Sequence, residues 1–308
     1  MKIVIAHPDP AAGERWCAEL SPRLPQAQLA TWPTDWTQAD YAIAWKPADD
    51  FFTRLQIDRA LFSAGAGVDH LLRLPALPAQ LPIVRVENAG MGLQMVHYCA
   101  LEALRVYRQD DAYAQQKADR RWFDRELESP ARFTIGVFGL GVLGAQVAQA
   151  LRDLGFTVIG HSRSPRSLPG IECYAGDAGL EPFLRRCQML VLLAPHTSQT
   201  ENLFDSHHLA MLPQGAWLVN AARGALVVET DLMLAIDSGH LAGATLDVFQ
   251  TEPLPETHPF WVHPKIRITP HSAAATLIDE TAEQIVGKIS SLERGETVSG
   301  VVDRARGY

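Results

Sequence analysis

The run Phe133-Thr134-Ile135-Gly136-Val137-Phe138 passes directly into Gly139-Leu140-Gly141-Val142-Leu143-Gly144. Thr134–Phe138 reads as a buried strand and Leu143–Leu154 as a helix, so G-x-G-x-x-G stands in the strand–turn–helix context that a dinucleotide-binding loop requires. Gly139 then permits the tight turn, Gly141 lets the backbone approach a pyrophosphate, and Gly144 lets the helix pack closely. The helix opens at Val142 and Leu143, where first-turn N–H groups and the positive dipole end face an anion. The stretch predicts an open α/β sheet with parallel strands.

Strand and helix patterns alternate on both sides of this turn. Toward the C-terminus, strands are predicted at Thr157–Gly160, Met189–Leu193, Ala216–Asn220, Ala244–Val248 and Ile266–Thr269, with helices at Glu181–Arg186, Leu203–Leu212 and Asp231–Asp237. Toward the N-terminus, strands are predicted at Ile3–Ala6, Gln28–Thr31, Tyr41–Trp45, Ala60–Ser63 and Ile83–Val86, with a helix at Ala11–Leu20. One long helix, Leu93–Lys117, bridges the two sets, and a last helix, Leu277–Leu292, is expected to pack back on the first. The fold class is α/β, with two Rossmann-like or flavodoxin-like domains. Residues 93–276 form the dinucleotide domain, and residues 1–92 with 277–308 form a discontinuous substrate domain.

The second strand of a dinucleotide fold ends at the adenosine ribose, where NAD-specific chains usually place Asp or Glu. Here it ends in His161-Ser162-Arg163-Ser164. No carboxylate repels a 2′-phosphate, Arg163 can pair with it, and Ser162 and Ser164 can donate to it. NADP is therefore expected over NAD, with NAD still possible.

Three strand ends carry unusual chemistry: Asn220-Ala221-Ala222-Arg223-Gly224, Asp247-Val248-Phe249-Gln250-Thr251-Glu252-Pro253, and Thr269-Pro270-His271-Ser272-Ala273. Loops at the carboxyl ends of parallel strands line the ligand crevice. With these motifs the chain resembles the D-isomer-specific 2-hydroxyacid dehydrogenase family over essentially its whole length. Gly65-Ala66-Gly67-Val68-Asp69, Ala194-Pro195-His196-Thr197 and Asp247 in its Leu-Asp-Val-Phe run add to the likeness. Gly90-Met91-Gly92, Thr269-Pro270-His271 and the ending Val302–Tyr308 are similar to the glyoxylate/hydroxypyruvate reductase branch. The resemblance implies two domains with a cleft between them, a homodimer, and a catalytic set of Arg223, Glu252 and His271. It also implies cofactor contacts from Pro195, Ala221 and Asp247, the last to the nicotinamide amide.

Reducing a 2-keto acid requires a hydride, a proton and a grip on a carboxylate. The cofactor supplies the hydride. His271 is the expected proton donor, Glu252 would stabilise its imidazolium, and Arg223 offers a planar donor fork to the carboxylate and the carbonyl oxygen. In the first domain, Ala66, Gly67 and Val68 are expected to present N–H groups to the substrate carboxylate. Trp45 and Lys46 are expected to close the site, Lys46 adding a second positive charge. Trp261 is a weaker candidate for reaching the site from a partner chain.

Composition excludes other classes. The net charge of −8 and the lack of any basic run longer than two residues argue against nucleic acid. The four separated cysteines, Cys17, Cys99, Cys173 and Cys187, read as reduced thiols, and no signal peptide or membrane span is expected, which favours the cytoplasm. No Cys/His/Asp spacing suits a metal. The alternative function is a non-catalytic NAD(P)-sensing protein on the same fold, which would not need all of Arg223, Glu252 and His271. A biosynthetic relative with a C-terminal regulatory domain is disfavoured by the chain ending at Tyr308.

Overall fold

The computed structural model describes residues 1–65 and 67–307, which divide into two compact units. One unit is Met1–Met91 with Thr276–Tyr308; the other is Gly92–Ala275.

The first unit holds five parallel strands: β1 (Lys2–Ala6), β2 (Gln28–Thr31), β3 (Gln38–Ala44), β4 (Gln56–Ser63) and β5 (Ile83–Val84). Their order, β2-β1-β3-β4-β5, is the flavodoxin-like one. Ile3, Val4, Tyr41, Ala42, Ile43, Leu61 and Phe62 are fully buried, as expected of strands covered on both faces. The helix Pro10–Leu20 starts where Asp9 accepts a hydrogen bond from the Ala11 N–H at 3.0 Å and proline takes the first turn. The C-terminal helix Ile278–Glu293 packs against it. Buried Lys288 fixes that helix by donating to the carbonyls of Arg85 (3.1 Å) and Ser299 (2.7 Å) and to Glu87 Oε2 (3.2 Å).

The second unit holds seven parallel strands: β6 (Thr134–Phe138), β7 (Thr157–Ser162), β8 (Glu172–Ala175), β9 (Met189–Leu192), β10 (Ala216–Asn220), β11 (Leu241–Leu246) and β12 (Ile266–Ile268). The order is β12-β11-β10-β9-β6-β7-β8, so the direction of winding reverses between β6 and β9, the switch point where such sheets take their ligand. Alternate side chains feed two cores. Phe138, Leu190, Leu192 and Leu218 join one with Phe183, Phe204 and Ile236. Ile135, Val137, Met189, Val191 and Val219 join the other with Val147, Ala148 and Leu151 of the helix Val142–Asp153.

Several elements differ from the pattern reading: the helix predicted at Leu203–Leu212 is only Ser206–Ala210, the strand predicted at Ala60–Ser63 begins at Gln56, and three further differences have physical causes. The bridging helix is two helices, Met91–Tyr107 and Asp110–Ala118, with Gln109 left-handed at φ 57° between them. The Tyr107 ring packs on Phe156 at 5.3 Å and Phe133 at 5.9 Å, and the Gln109 amide donates to the Glu126 carbonyl, so distant contacts hold the break. Asp110 and Asp111 then open a new first turn, where negative charge is favourable. The helix predicted at Glu181–Arg186 is Gly176–Leu184, with Pro182 inside it rather than at its start. Strand β8, at the sheet edge, has one paired side and only partly buried residues apart from exposed Glu172, too short an apolar pattern to read.

Gly136, in the middle of β6, has no room for a side chain: a Cβ there would stand 2.1 Å from Cys187 Sγ and 2.9 Å from the Phe183 ring. Gly136→Ala is expected to cost about 1–3 kcal/mol and to lower Tm by roughly 2–10 °C. An unchanged melting curve by circular dichroism would contradict this packing.

Candidate active site

The glycine turn joins β6 to the helix Val142–Asp153. Gly139 has φ +105°, open to glycine, and its N–H donates to the His161 carbonyl at 2.8 Å. A Cβ on Gly139 would lie 2.5 Å from the Ala194 nitrogen, so the turn and the Ala194-Pro195 loop touch through backbone. A Cβ on Gly144 would lie 1.9 Å from the Gly139 carbonyl oxygen, so the helix closes directly on the turn. At exposed Gly141 a Cβ would meet nothing within 4 Å. Val142 is exposed and Leu143 half-buried, at first-turn positions whose N–H groups have no carbonyl four residues back to bond. This cradle fits a dinucleotide pyrophosphate.

The penultimate residue of β7 is buried His161, which stacks on Phe138 at 5.2 Å and bonds the Gly176 carbonyl through Nε2 at 3.0 Å. A carbonyl only accepts, so Nε2 carries the proton. Burial pushes the imidazole below its ordinary value, leaving it neutral at pH 7. Positive charge at this end therefore comes from exposed Arg163 and Arg166. Ser162 Oγ donates to the Ser164 carbonyl at 2.8 Å, so its one proton is turned along the loop.

Arg223, Glu252 and His271 lie on the loops that follow β10, β11 and β12, which are neighbours in the sheet. After β10, buried Asn220 shapes the loop: its Nδ2 donates to the Arg223 carbonyl at 2.9 Å and its Oδ1 accepts the Ala222 N–H at 3.1 Å. Ala221 is buried within this turn. Arg223 has extended backbone, and its Nη1 donates to the Ala222 carbonyl at 2.7 Å. A Cβ on Gly224 would fall 1.9 Å from the Phe249 carbonyl carbon, so the Arg223 loop lies directly on the loop that carries Glu252.

Glu252 bridges to the third strand end. Its Oε1 accepts the Phe249 N–H at 3.2 Å, and its Oε2 lies 2.8 Å from His271 Nδ1. The carboxylate thus holds the proton on Nδ1 and leaves Nε2 as the acceptor nitrogen of the neutral ring. His271 itself has φ +53°, a region few non-glycine residues enter, although His is enriched there. Such a conformation costs on the order of 1–3 kcal/mol and persists only where neighbours impose it.

Asp247 imposes it. The residue is 1% exposed. Its carbonyl accepts the His271 N–H at 2.8 Å. Its Oδ1 accepts Thr269 Oγ1 at 2.6 Å and the Ser272 N–H at 2.8 Å, and its Oδ2 accepts the Ala273 N–H at 3.0 Å. A carboxylate has about four acceptor sites, so the cofactor amide expected on Asp247 has one left to it. Pattern reading set a cofactor contact for Asp247 ahead of such a loop-capping role, and it missed Tyr98, whose hydroxyl lies 2.8 Å from Thr269 Oγ1. A tyrosine on an apolar helix face reads as core.

In the first unit, Trp45 packs its ring 4.5 Å from that of His70 and over Gly65, where a Cβ would be 2.7 Å away. Exposed Lys46 has φ +42° and its Nζ lies 5.9 Å from the Trp45 ring centre. The Gly67 carbonyl accepts Ser63 Oγ at 3.0 Å, and buried Val68 precedes the short helix Asp69–Leu72. Ala66 lies outside the described residues. In the second unit, Trp261 is half exposed on the turn Pro259–Val262, its indole N–H donating to the Pro255 carbonyl at 2.9 Å. Among the described residues no group of three or more His, Cys, Asp or Glu is placed to hold a metal ion, and no helix is long and apolar enough to cross a membrane.

Residues 100–273 match the family model for the D-isomer specific 2-hydroxyacid dehydrogenase NAD binding domain. The chain is 43% identical to a glyoxylate/hydroxypyruvate reductase A from Serratia proteamaculans and 41% identical to one from Yersinia enterocolitica, with all of each chain covered. It is also similar to two solved structures at 35% identity and TM-score 0.94, covering 100% of this chain and 99% of theirs. One is an NADPH-dependent glyoxylate/hydroxypyruvate reductase from Sinorhizobium meliloti in complex with NADP and sulfate. The other is a D-isomer specific 2-hydroxyacid dehydrogenase from Xanthobacter autotrophicus Py2 with NADPH and MES.

If Asp247 holds the β12 loop, Asp247→Asn must cost at least one of its bonds, because an amide nitrogen cannot accept from N–H. Hydrogen–deuterium exchange at Ser272 and Ala273 is expected to rise about 10–100-fold. Unaltered protection there would contradict the assignment.

Proposed function

The chain belongs to the D-isomer-specific 2-hydroxyacid dehydrogenase family, and from that premise we propose that it reduces small 2-keto acids, glyoxylate to glycolate and hydroxypyruvate to D-glycerate. NADPH is the preferred cofactor and NADH a possible one. Two similar structures hold NADP or NADPH by their descriptions, and the β7 end of this chain offers Ser162, Arg163 and Ser164 and no carboxylate at the ribose position. We assign the cofactor to the turn Gly139–Gly144 with Pro195, Ala221 and the remaining acceptor of Asp247.

The bound dinucleotide supplies the hydride. Arg223 takes the substrate carboxylate in its planar fork and stabilises the negative charge that develops on the carbonyl oxygen. His271 Nε2 delivers the proton to that oxygen, and the Glu252 carboxylate on Nδ1 stabilises the imidazolium before the transfer. Trp45, Lys46, Gly67 and Val68 are assigned to substrate binding, together with Ala66. The observation that carries the proposal is the 2.8 Å pair of Glu252 and His271 in the same sheet as the glycine turn. A dinucleotide sensor needs the turn but has no use for a carboxylate-held imidazole, so the enzyme reading is favoured.

A homodimer is part of the proposal. Leu93, Leu101 and Leu104 are exposed on the helix Met91–Tyr107, and Trp122 and Phe123 are exposed beyond it, an apolar surface that a second copy would cover. A monomeric mass by light scattering would contradict this. The four free cysteines fit a reducing, cytoplasmic setting.

A kinetic panel tests the reading. Glyoxylate and hydroxypyruvate are expected to oxidise NADPH with a higher kcat/KM than NADH, and His271→Ala is expected to lower kcat about 10²–10⁴-fold while cofactor affinity is kept. Dinucleotide binding without turnover of any small 2-keto acid would favour the sensor.

A further inference from the structure

Thr269 Oγ1 has a single proton. It lies 2.6 Å from Asp247 Oδ1 and 2.8 Å from the Tyr98 hydroxyl. The ionised, buried Asp247 can only accept, so the Thr269 proton points to it. Tyr98 must then donate to Thr269. Burial holds the Tyr98 phenol well above its ordinary value, so it is a neutral donor at pH 7. The direction of both bonds is fixed: Tyr98 to Thr269 to Asp247.

The far end of this chain is the His271 loop. Asp247 takes N–H groups from His271, Ser272 and Ala273 in succession, and His271 is held left-handed among them. The near end is on the helix Met91–Tyr107. That helix is fixed to the sheet independently, by Glu102, buried at 2% exposure, which accepts Thr245 Oγ1 at 2.7 Å and Arg105 Nη1 at 2.9 Å. The chain from Tyr98 therefore ties the imidazole loop to a rigid element on the face of the sheet, rather than to another loop.

We propose that Tyr98 and Thr269 are positioning residues for the proton donor, acting through Asp247 to aim the His271 ring. Their hydroxyls act on the carboxylate that gathers the loop, while the Thr269 carbonyl separately accepts the His271 N–H at 3.1 Å. Each hydrogen bond satisfies the next acceptor, and such networks are worth more together than bond by bond. Removing the Thr269 hydroxyl leaves Asp247 short of a charge-assisted donor. Removing the Tyr98 hydroxyl leaves Thr269 Oγ1 without its donor and weakens the bond that Thr269 in turn gives Asp247. The inference rests on the reductase reading for its kinetic arm only.

The test compares Thr269→Val, Thr269→Ser and Tyr98→Phe in the full-length protein. Thr269→Val, nearly the same shape without the hydroxyl, is expected to lower kcat for glyoxylate about 10–100-fold, and Tyr98→Phe about 2–10-fold. The KM for glyoxylate and the Kd for NADPH, measured by fluorescence titration, are expected to stay near wild type. Thr269→Ser, which keeps the hydroxyl, is expected to restore most of kcat. A merely structural role would lower Tm and cofactor affinity along with kcat, and serine would not rescue it selectively; that result overturns the proposal, as does a Thr269→Val protein with unchanged kcat. Should the wild-type protein reduce no keto acid, the reductase reading fails by itself. Amide exchange then decides the relay: faster exchange at His271, Ser272 and Ala273 in Thr269→Val but not in Thr269→Ser supports it, and identical exchange in all forms overturns it.

Discussion

A carboxylate with 1% exposure is tolerable only where donors meet it, and Asp247 is met by a threonine hydroxyl and two backbone N–H groups. That requirement organises the whole β12 loop. The loop cannot relax without stranding a buried charge, so the left-handed backbone of His271 is held by an interaction stronger than the strain it carries. Glu252 then meets the imidazole from the neighbouring loop, and Gly224 brings the Arg223 loop against the same segment through backbone contact. The geometry of the β12 loop thus depends on one buried anion at the end of β11, and the two neighbouring loops meet it there.

This arrangement explains why a parallel sheet suits the chemistry. Adjacent strands β10, β11 and β12 end side by side, so residues separated by dozens of positions in the chain start from fixed, neighbouring points. The loops add little freedom of their own: Asn220 closes the first on itself, the Phe249 N–H holds Glu252 in the second, and Asp247 closes the third. The glycine turn is equally constrained, since Gly139 and Gly144 leave no space for a side chain between helix, turn and the Ala194 loop. Groups held this way need little reorganisation when charge develops, which is where electrostatic catalysis gains most.

Much of this was legible in the sequence because it follows from local rules. The glycine spacing after an apolar strand identifies the turn, and the buried central strands β9 and β10 read as continuous apolar runs. Arg223, Glu252 and His271 are recognisable by motif, each in the loop that follows a strand. What was not legible depends on partners distant in the chain. Nothing local says that the helix breaks at Gln109; the aromatic contacts of Tyr107 with Phe133 and Phe156 do. Asp247 reads by motif as a cofactor ligand, and its loop-anchoring bonds come from donors more than twenty residues away. Tyr98 carries the same helical periodicity as its apolar neighbours, so its hydroxyl bond to Thr269 has no signature at all. Edge strand β8 was invisible because an edge gives a weak burial pattern.

The central claim is that Glu252 fixes the imidazole proton on Nδ1 so that Nε2 is the atom that exchanges a proton with substrate. Nitrogen–proton correlation NMR of histidine-labelled protein measures this directly, with the His271 signals identified by their loss in His271→Ala. The account predicts that neutral His271 bears its proton on Nδ1, that Nε2 gains one on acidification, and that Glu252→Gln weakens the Nδ1 preference. A neutral ring protonated on Nε2, or a tautomer indifferent to Glu252, would contradict it.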